Sequence, residues 1–144
     1  MPSETKLTQV LKAVRTKAQT AVTKAVRTKA QTAVTKPIVF GALPPDDGIS
    51  MALATGASDK TFLDKGQHYH ASVVINAKSA DQLNALEWLS AIHETLTLTE
   101  EYPSGENWQI ANIETTGIPM YLGREENRQY EYGSSVRIDF YMKG

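Results

Sequence analysis

Between Gln67 and Thr99 the chain reads QHYHASVVINAKSADQLNALEWLSAIHETLTLT, a strand pattern running straight into a helix pattern. Strand side chains alternate, so Tyr69, Ala71, Val73, Ile75 and Ala77 share one face and His68, His70, Ser72, Val74 and Asn76 the other. Ser79, with Gln82 three residues on, has the form of a capping box that satisfies orphan backbone donors at a helix start. Leu83, Leu86, Leu89, Ile92 and Leu96 then recur at spacings of three and four, with Ala85 and Trp88 widening the stripe. A helix with one apolar side must lay it on a sheet, so the remaining segments are expected to supply that sheet.

Other strand patterns follow. Ile49 to Thr55 alternates, Trp108 to Thr116 forms a third strand, and Tyr132, Ser134, Val136, Ile138, Phe140 and Met142 mark one face of a last one. Ile38-Val39-Phe40 is only a short apolar run after Pro37. GALPPDDG at 41–48 and GASDKTFLDKG at 56–66 read as loops, and Gly117-Ile118-Pro119 reads as a break before the charged loop REENRQ. The expected fold is α+β: a two-layer sandwich with a four-stranded, mainly antiparallel sheet, helices on one face, and the order α-β-β-α-β-β.

The N-terminal region is unlike the rest. KAVRTKAQTAVT occupies 12–23 and recurs unchanged at 24–35. Val10, Val14, Ala18 and Ala21 or Val22 fall at helical spacing. Twelve residues at ~100° each turn the second copy's stripe by about 120°, so one flat surface cannot bury both copies at once. The expectation is one docked helix, with the other copy projecting or forming a separate segment. A solenoid is excluded, because its repeats are longer and more numerous.

Charge divides at the same place. Residues 1–36 carry eight Lys or Arg against the single Glu4, leaving 7 basic and 15 acidic side chains in 37–144, although the whole chain is only −1. The division is therefore a basic helical arm, 1–36, on an acidic body, 37–144. Such an arm suits an interaction with another subunit. Its candidate contacts are Lys12, Arg15, Lys17, Lys24, Arg27 and Lys29. Nucleic acid would also attract it through phosphates, but it offers no aromatic residue for stacking and no Asn for reading bases.

No catalytic constellation emerges. Asp46-Asp47, Glu100-Glu101 and Glu125-Glu126 are loop neighbours, not carboxylates facing each other across a substrate. Gly133-Ser134-Ser135 lacks the flanking glycine of a nucleophile elbow and precedes a strand. There is no phosphate loop or dinucleotide fingerprint. His68 and His70 share a strand face and His93 lies on the helix, yet no carboxylate stands at ligand spacing, so they read as ordinary histidines. With 0 cysteines, disulfides and thiolate zinc sites are excluded. No apolar run approaches the ~18 residues of a membrane span, and the N-terminus has no apolar signal core. The expectation is a non-enzymatic chain with no cofactor, metal or membrane partner.

Two segments carry a family resemblance. VVINAKSADQLNALEWLSAIHETL, followed by IPMYLGREENRQYEYGSSVRIDFYM, resembles the tail terminator or minor capsid proteins of long-tailed bacteriophages. Its most specific parts are Asn76-Ala77-Lys78-Ser79 and Tyr121-Leu122-Gly123-Arg124 with Tyr132-Gly133-Ser134-Ser135. The resemblance implies a small α+β subunit that forms a ring, commonly hexameric, at the head-proximal end of the tail. Such a ring stops polymerisation of the tail tube and meets a head connector or completion protein. It would reside in the virion after assembly in the host cytoplasm, and DNA passing through it would meet no sequence-specific contact. The implied contacts fall in the loops at 41–48, 56–66 and 117–129: Pro44, Asp46, Asp47, Phe62, Leu63, Asp64, Tyr121, Leu122, Arg124, Glu125, Glu126 and Arg128. Another neck or tube ring protein is the alternative within that setting, and a basic-armed nucleic-acid-binding module the alternative outside it.

Overall fold

The computed structural model describes residues 20–44, 46–54, 68–124 and 128–142. In chain order they form helix α1 (residues 20–31), β1 (Ile38–Phe40), β2 (Gly48–Leu53), β3 (His68–Ser79), α2 (Gln82–Thr97), β4 (Trp108–Arg124) and β5 (Tyr130–Met142). The strands make one sheet in the order β1-β2-β3-β5-β4. β1 runs parallel to β2 and every other neighbour is antiparallel. The α+β class expected from the sequence is the one observed.

The sheet has five strands rather than four, because Ile38-Val39-Phe40 joins it as β1 and turns the order into α-β-β-β-α-β-β. A parallel neighbour normally needs a long crossover. Here β1 is three residues long, so a seven-residue return, 41–47, is enough to bring Ile49 beside Ile38. Side chains from α1 occupy the edge of β1 that faces away from β2. The Ile38 N–H donates to Gln31 Oε1 at 2.8 Å, and Arg27 Nη1 donates to the Ile38 carbonyl at 3.4 Å. An edge dressed in this way cannot template another strand there.

One face of the sheet holds the core. Ala71, Val73, Ile75 and Ala77 of β3 are buried there with Tyr132, Val136, Ile138 and Phe140 of β5, as the alternation requires. Ile49 and Met51 extend it through β2, and Ile110 and Ile113 through β4. Ala85, Leu89, Ile92 and Leu96 of α2 close over it, joined by Val22, Val26 and Ala30 of α1. Each large side chain taken out of water in this layer contributes about 1.5–3 kcal/mol. Met142 was expected on the same face; its side chain lies outside the described residues.

Two local expectations are corrected. Asp81, not Ser79, is the N-cap of α2, its carboxylate accepting from the Leu83 N–H at 3.1 Å. Ser79 is the last residue of β3, and Gln82 reaches Tyr132 instead of closing a capping box. Leu83, expected in the stripe, is 65% exposed, because at ~100° per residue it falls about 160° round the helix from Ala85, away from the buried Leu89, Ile92 and Leu96. His93 takes an inward position instead.

The second correction concerns β4, which does not stop before Gly117-Ile118-Pro119 but continues to Arg124. Gly117 pairs with Ser135 and Met120 with Gly133, so Ile118 and Pro119 together oppose Ser134 alone. That is a bulge, one of four register shifts along β4. Proline supplies no ladder donor and is tolerated where β4 lies, on the edge of the sheet.

Candidate interface at the β4–β5 end of the sheet

Registers place several chain segments at one end of the sheet. Ser79 pairs with Tyr130, which pairs with Arg124, while Gly48 pairs with the neighbouring Lys78. The last residues of the 41–47 return and the facing ends of β4 and β5 therefore share this end with the start of α2. Leu53 and His68, which flank the 55–67 connection, lie toward the opposite end.

Aromatic rings cluster at the first end. Tyr121 of β4 pairs directly with Tyr132 of β5, their ring centroids 5.6 Å apart, and its ring is 6.4 Å from that of Tyr130. Arg124 places its guanidinium 5.3 Å from the Tyr130 ring centroid, a cation–π arrangement. The Gln82 amide donates to Tyr132 Oη at 2.7 Å, tying the cluster to the first turn of α2.

The helix-free side of the same end is apolar at its edge. Leu122 lies over Gly133 beside Asn76, and a side chain at Gly133 would run into both. Ile118, Met120 and Leu122 are 71%, 62% and 53% exposed, and Tyr121 is 49% exposed. Met120 and Leu122 share that helix-free face through Gly133, whereas Tyr121, paired with Tyr132, faces the helix side. The exposed Met120–Leu122 pair on an edge strand is the kind of feature that marks a contact surface.

The sequence-based candidates separate into distinct roles. Tyr121, Leu122 and Arg124 belong to this end. Arg128 is exposed and takes the left-handed backbone conformation, φ +66°, just before β5. Asp46 is exposed and Pro44 half-buried against Gly48. Asp47 holds the fold together locally: it accepts from Ser79 Oγ at 3.0 Å and from the Ala80 N–H at 3.1 Å, fastening the 41–47 return to the β3–α2 junction. Arg27 packs over Phe40 as well as binding the Ile38 carbonyl, whereas Lys24 is exposed. Lys29 is half-buried. Phe62, Leu63, Asp64, Glu125, Glu126, Lys12, Arg15 and Lys17 lie outside the described residues. Sequence reasoning did not single out Ile118 and Met120, nor Tyr130 and Tyr132 as partners of Tyr121. Their signal was the Tyr-x-Tyr spacing together with a proline flanked by apolar residues.

The histidines do not converge. His70 lies opposite Asp139 on the helix-free face, whereas His93 is buried on the core side. His93 Nδ1 is 2.8 Å from Thr115 Oγ1, and its Nε2 is buried without a hydrogen-bond partner among the described residues. Burial pushes its pKa below the ordinary 6.5. The His68 side chain lies outside the described residues. Among the described helices none is long and apolar enough to cross a membrane.

No protein-family model and no curated protein matches the chain. Solved structures do. One similar chain comes from the "Virion of native gene transfer agent (GTA) particle", with a TM-score of 0.60 at 14% identity, covering 85% of this chain and 95% of that one. A second, which bears no functional name, gives a TM-score of 0.50 at 13% identity, covering 88% of this chain and 94% of that one. At these identities the likeness is one of fold.

Proposed function

We propose that this chain is a structural subunit of a phage-like virion, and within it a tail terminator: a ring at the head-proximal end of the tail that stops tube growth and meets the head connector. The observation that carries the reading is the shared fold with a virion chain over 95% of that chain's length. The family resemblance of residues 73–96 and 118–142 supports the finer assignment. So does the division of the fold into two ends, one bearing the tyrosine cluster and the exposed Met120 and Leu122, the other flanked by Leu53 and His68. A ring between two different partners needs two different faces, and heterologous contacts between subunits close it. The role is steric and electrostatic, with no chemical step: one face matches the last ring of the tube, and the other does not accept another.

Negative-stain microscopy of the purified protein, with and without tail tubes, tests this. Closed rings of one size seated on tube ends are expected. Self-assembly into filaments would assign the chain to the tube instead. A monomer that never caps tubes and binds DNA with steep salt dependence would replace the reading with the nucleic-acid alternative.

A further inference from the structure

The contacts that dock α1 are duplicated twelve residues earlier in the chain, at all but one buried position. Val26 and Ala30 are fully buried under α1, and their counterparts are Val14 and Ala18. Arg27, which binds the Ile38 carbonyl and covers the Phe40 ring at 5.3 Å, corresponds to Arg15. Gln31, which accepts from the Ile38 N–H and donates to the carbonyls of Val34 and Lys36, corresponds to Gln19. Those two carbonyls have their own equivalents at Val22 and Lys24. Lys36, whose ammonium lies 6.0 Å from the Trp88 ring centroid, also corresponds to Lys24. Buried Val22 corresponds to Val10, just outside the repeat. Of the buried positions on α1 only Thr23 differs, with Leu11 in its place.

One docking surface thus faces two equivalent ligands in its own chain. The 120° turn between the two stripes prevents both from docking as one continuous helix. We infer that α1 can slip by one repeat, residues 8–19 replacing 20–31 on the same surface, so that the core keeps its cover. The slip lengthens the connection to β1 from six residues, 32–37, to eighteen, 20–37. Tripling a flexible connector costs about five-fold in population, with the contacts otherwise equal. The observed register is therefore the major one and the slipped register its minor partner. Slipping releases a tether carrying Arg27, Lys29 and Lys36, without an acidic residue among 25–37. That basic tether has the charge to reach an acidic body, such as that of a neighbouring copy. The device is independent of the tail terminator reading.

A mutational cycle tests it. Deleting residues 12–23 leaves one intact repeat joined to Val10-Leu11, and hence a single register. Val26→Asp in that shortened chain puts a carboxylate in the core and is expected to shift the unfolding equilibrium by more than about a hundred-fold. In the full chain the same substitution moves the helix to the other register, and the shift is expected to be about five-fold from loop closure, increased only by the exchange of Thr23 for Leu11. A short bis-maleimide then reports the register in the full-length V26D background. Arg15→Cys with Phe40→Cys should cross-link within one chain there, as Arg27→Cys with Phe40→Cys should in the parent; the sequence has no other cysteine. Equal shifts in the two backgrounds, no cross-link, or a cross-link only between chains would each overturn the slip.

Discussion

The amide of Gln82 donates a 2.7 Å hydrogen bond to the hydroxyl of Tyr132, joining the first turn of α2 to the strand that carries the tyrosine cluster. The bond fastens the start of α2 to the β4–β5 end of the sheet. The exposed Met120 and Leu122 form a second surface at the same end, on the helix-free face.

Met120→Asp places a charge in that surface without entering the core, since Met120 is 62% exposed. Stability should change by no more than about 0.5 kcal/mol in urea unfolding. Formation of the proposed ring, followed by sedimentation, should be lost. A large fall in stability would show that Met120 supports the fold.

Asp47→Ala removes the acceptor for Ser79 Oγ and the Ala80 N–H. The expected loss is about 1–3 kcal/mol, because two donors lose a charged partner. Ser79→Ala should be strongly non-additive with it in a double-mutant cycle, and additivity would show that the clasp does not hold in solution.

Gly133→Ala would bring a methyl within 2.8 Å of Leu122 Cδ1 and 3.1 Å of Asn76 Oδ1. Leu122 is half exposed and free to swing outward, so the cost to stability should stay below about 1 kcal/mol. Its displacement should weaken subunit association, readable as a raised dissociation constant in sedimentation equilibrium. Unchanged association would remove Leu122 from the contact.

His93 sets a direction for pH dependence. Its folded pKa lies below 6.5 through burial, so at lower pH the unfolded chain binds the proton first. Its contribution to stability is present above pH 6.5 and is lost as pH falls from 6.5 toward the lowered folded value. His93→Gln should reduce that slope in thermal unfolding between pH 7 and 5, and a slope that persists unchanged would place its source elsewhere.

The central layer was legible because β3 and β5 each have one covered face, which alternation alone reveals. β1 was not, since three residues cannot show a period, and its pairing rests on Gln31 and Arg27 reaching Ile38 from a helix. β4 beyond Thr116 was hidden by Gly117 and Pro119, which end an interior strand but not a bulged edge. Tyr121, Leu122 and Arg124 were found as contact candidates. Their union with Tyr130, Tyr132 and Met120 depends on bulges that no local pattern encodes. The capping box failed because Asp81 competes with Ser79 and sits one residue before Gln82, while Asp47 and the Asp81 N–H engage the serine hydroxyl.

The most direct test of the structural-subunit reading is native mass measurement of the purified full chain across a concentration series. One closed oligomer of fixed stoichiometry, six copies by the family resemblance, is the expected result. A monomer at every concentration, or an open series of ever larger assemblies, would contradict it.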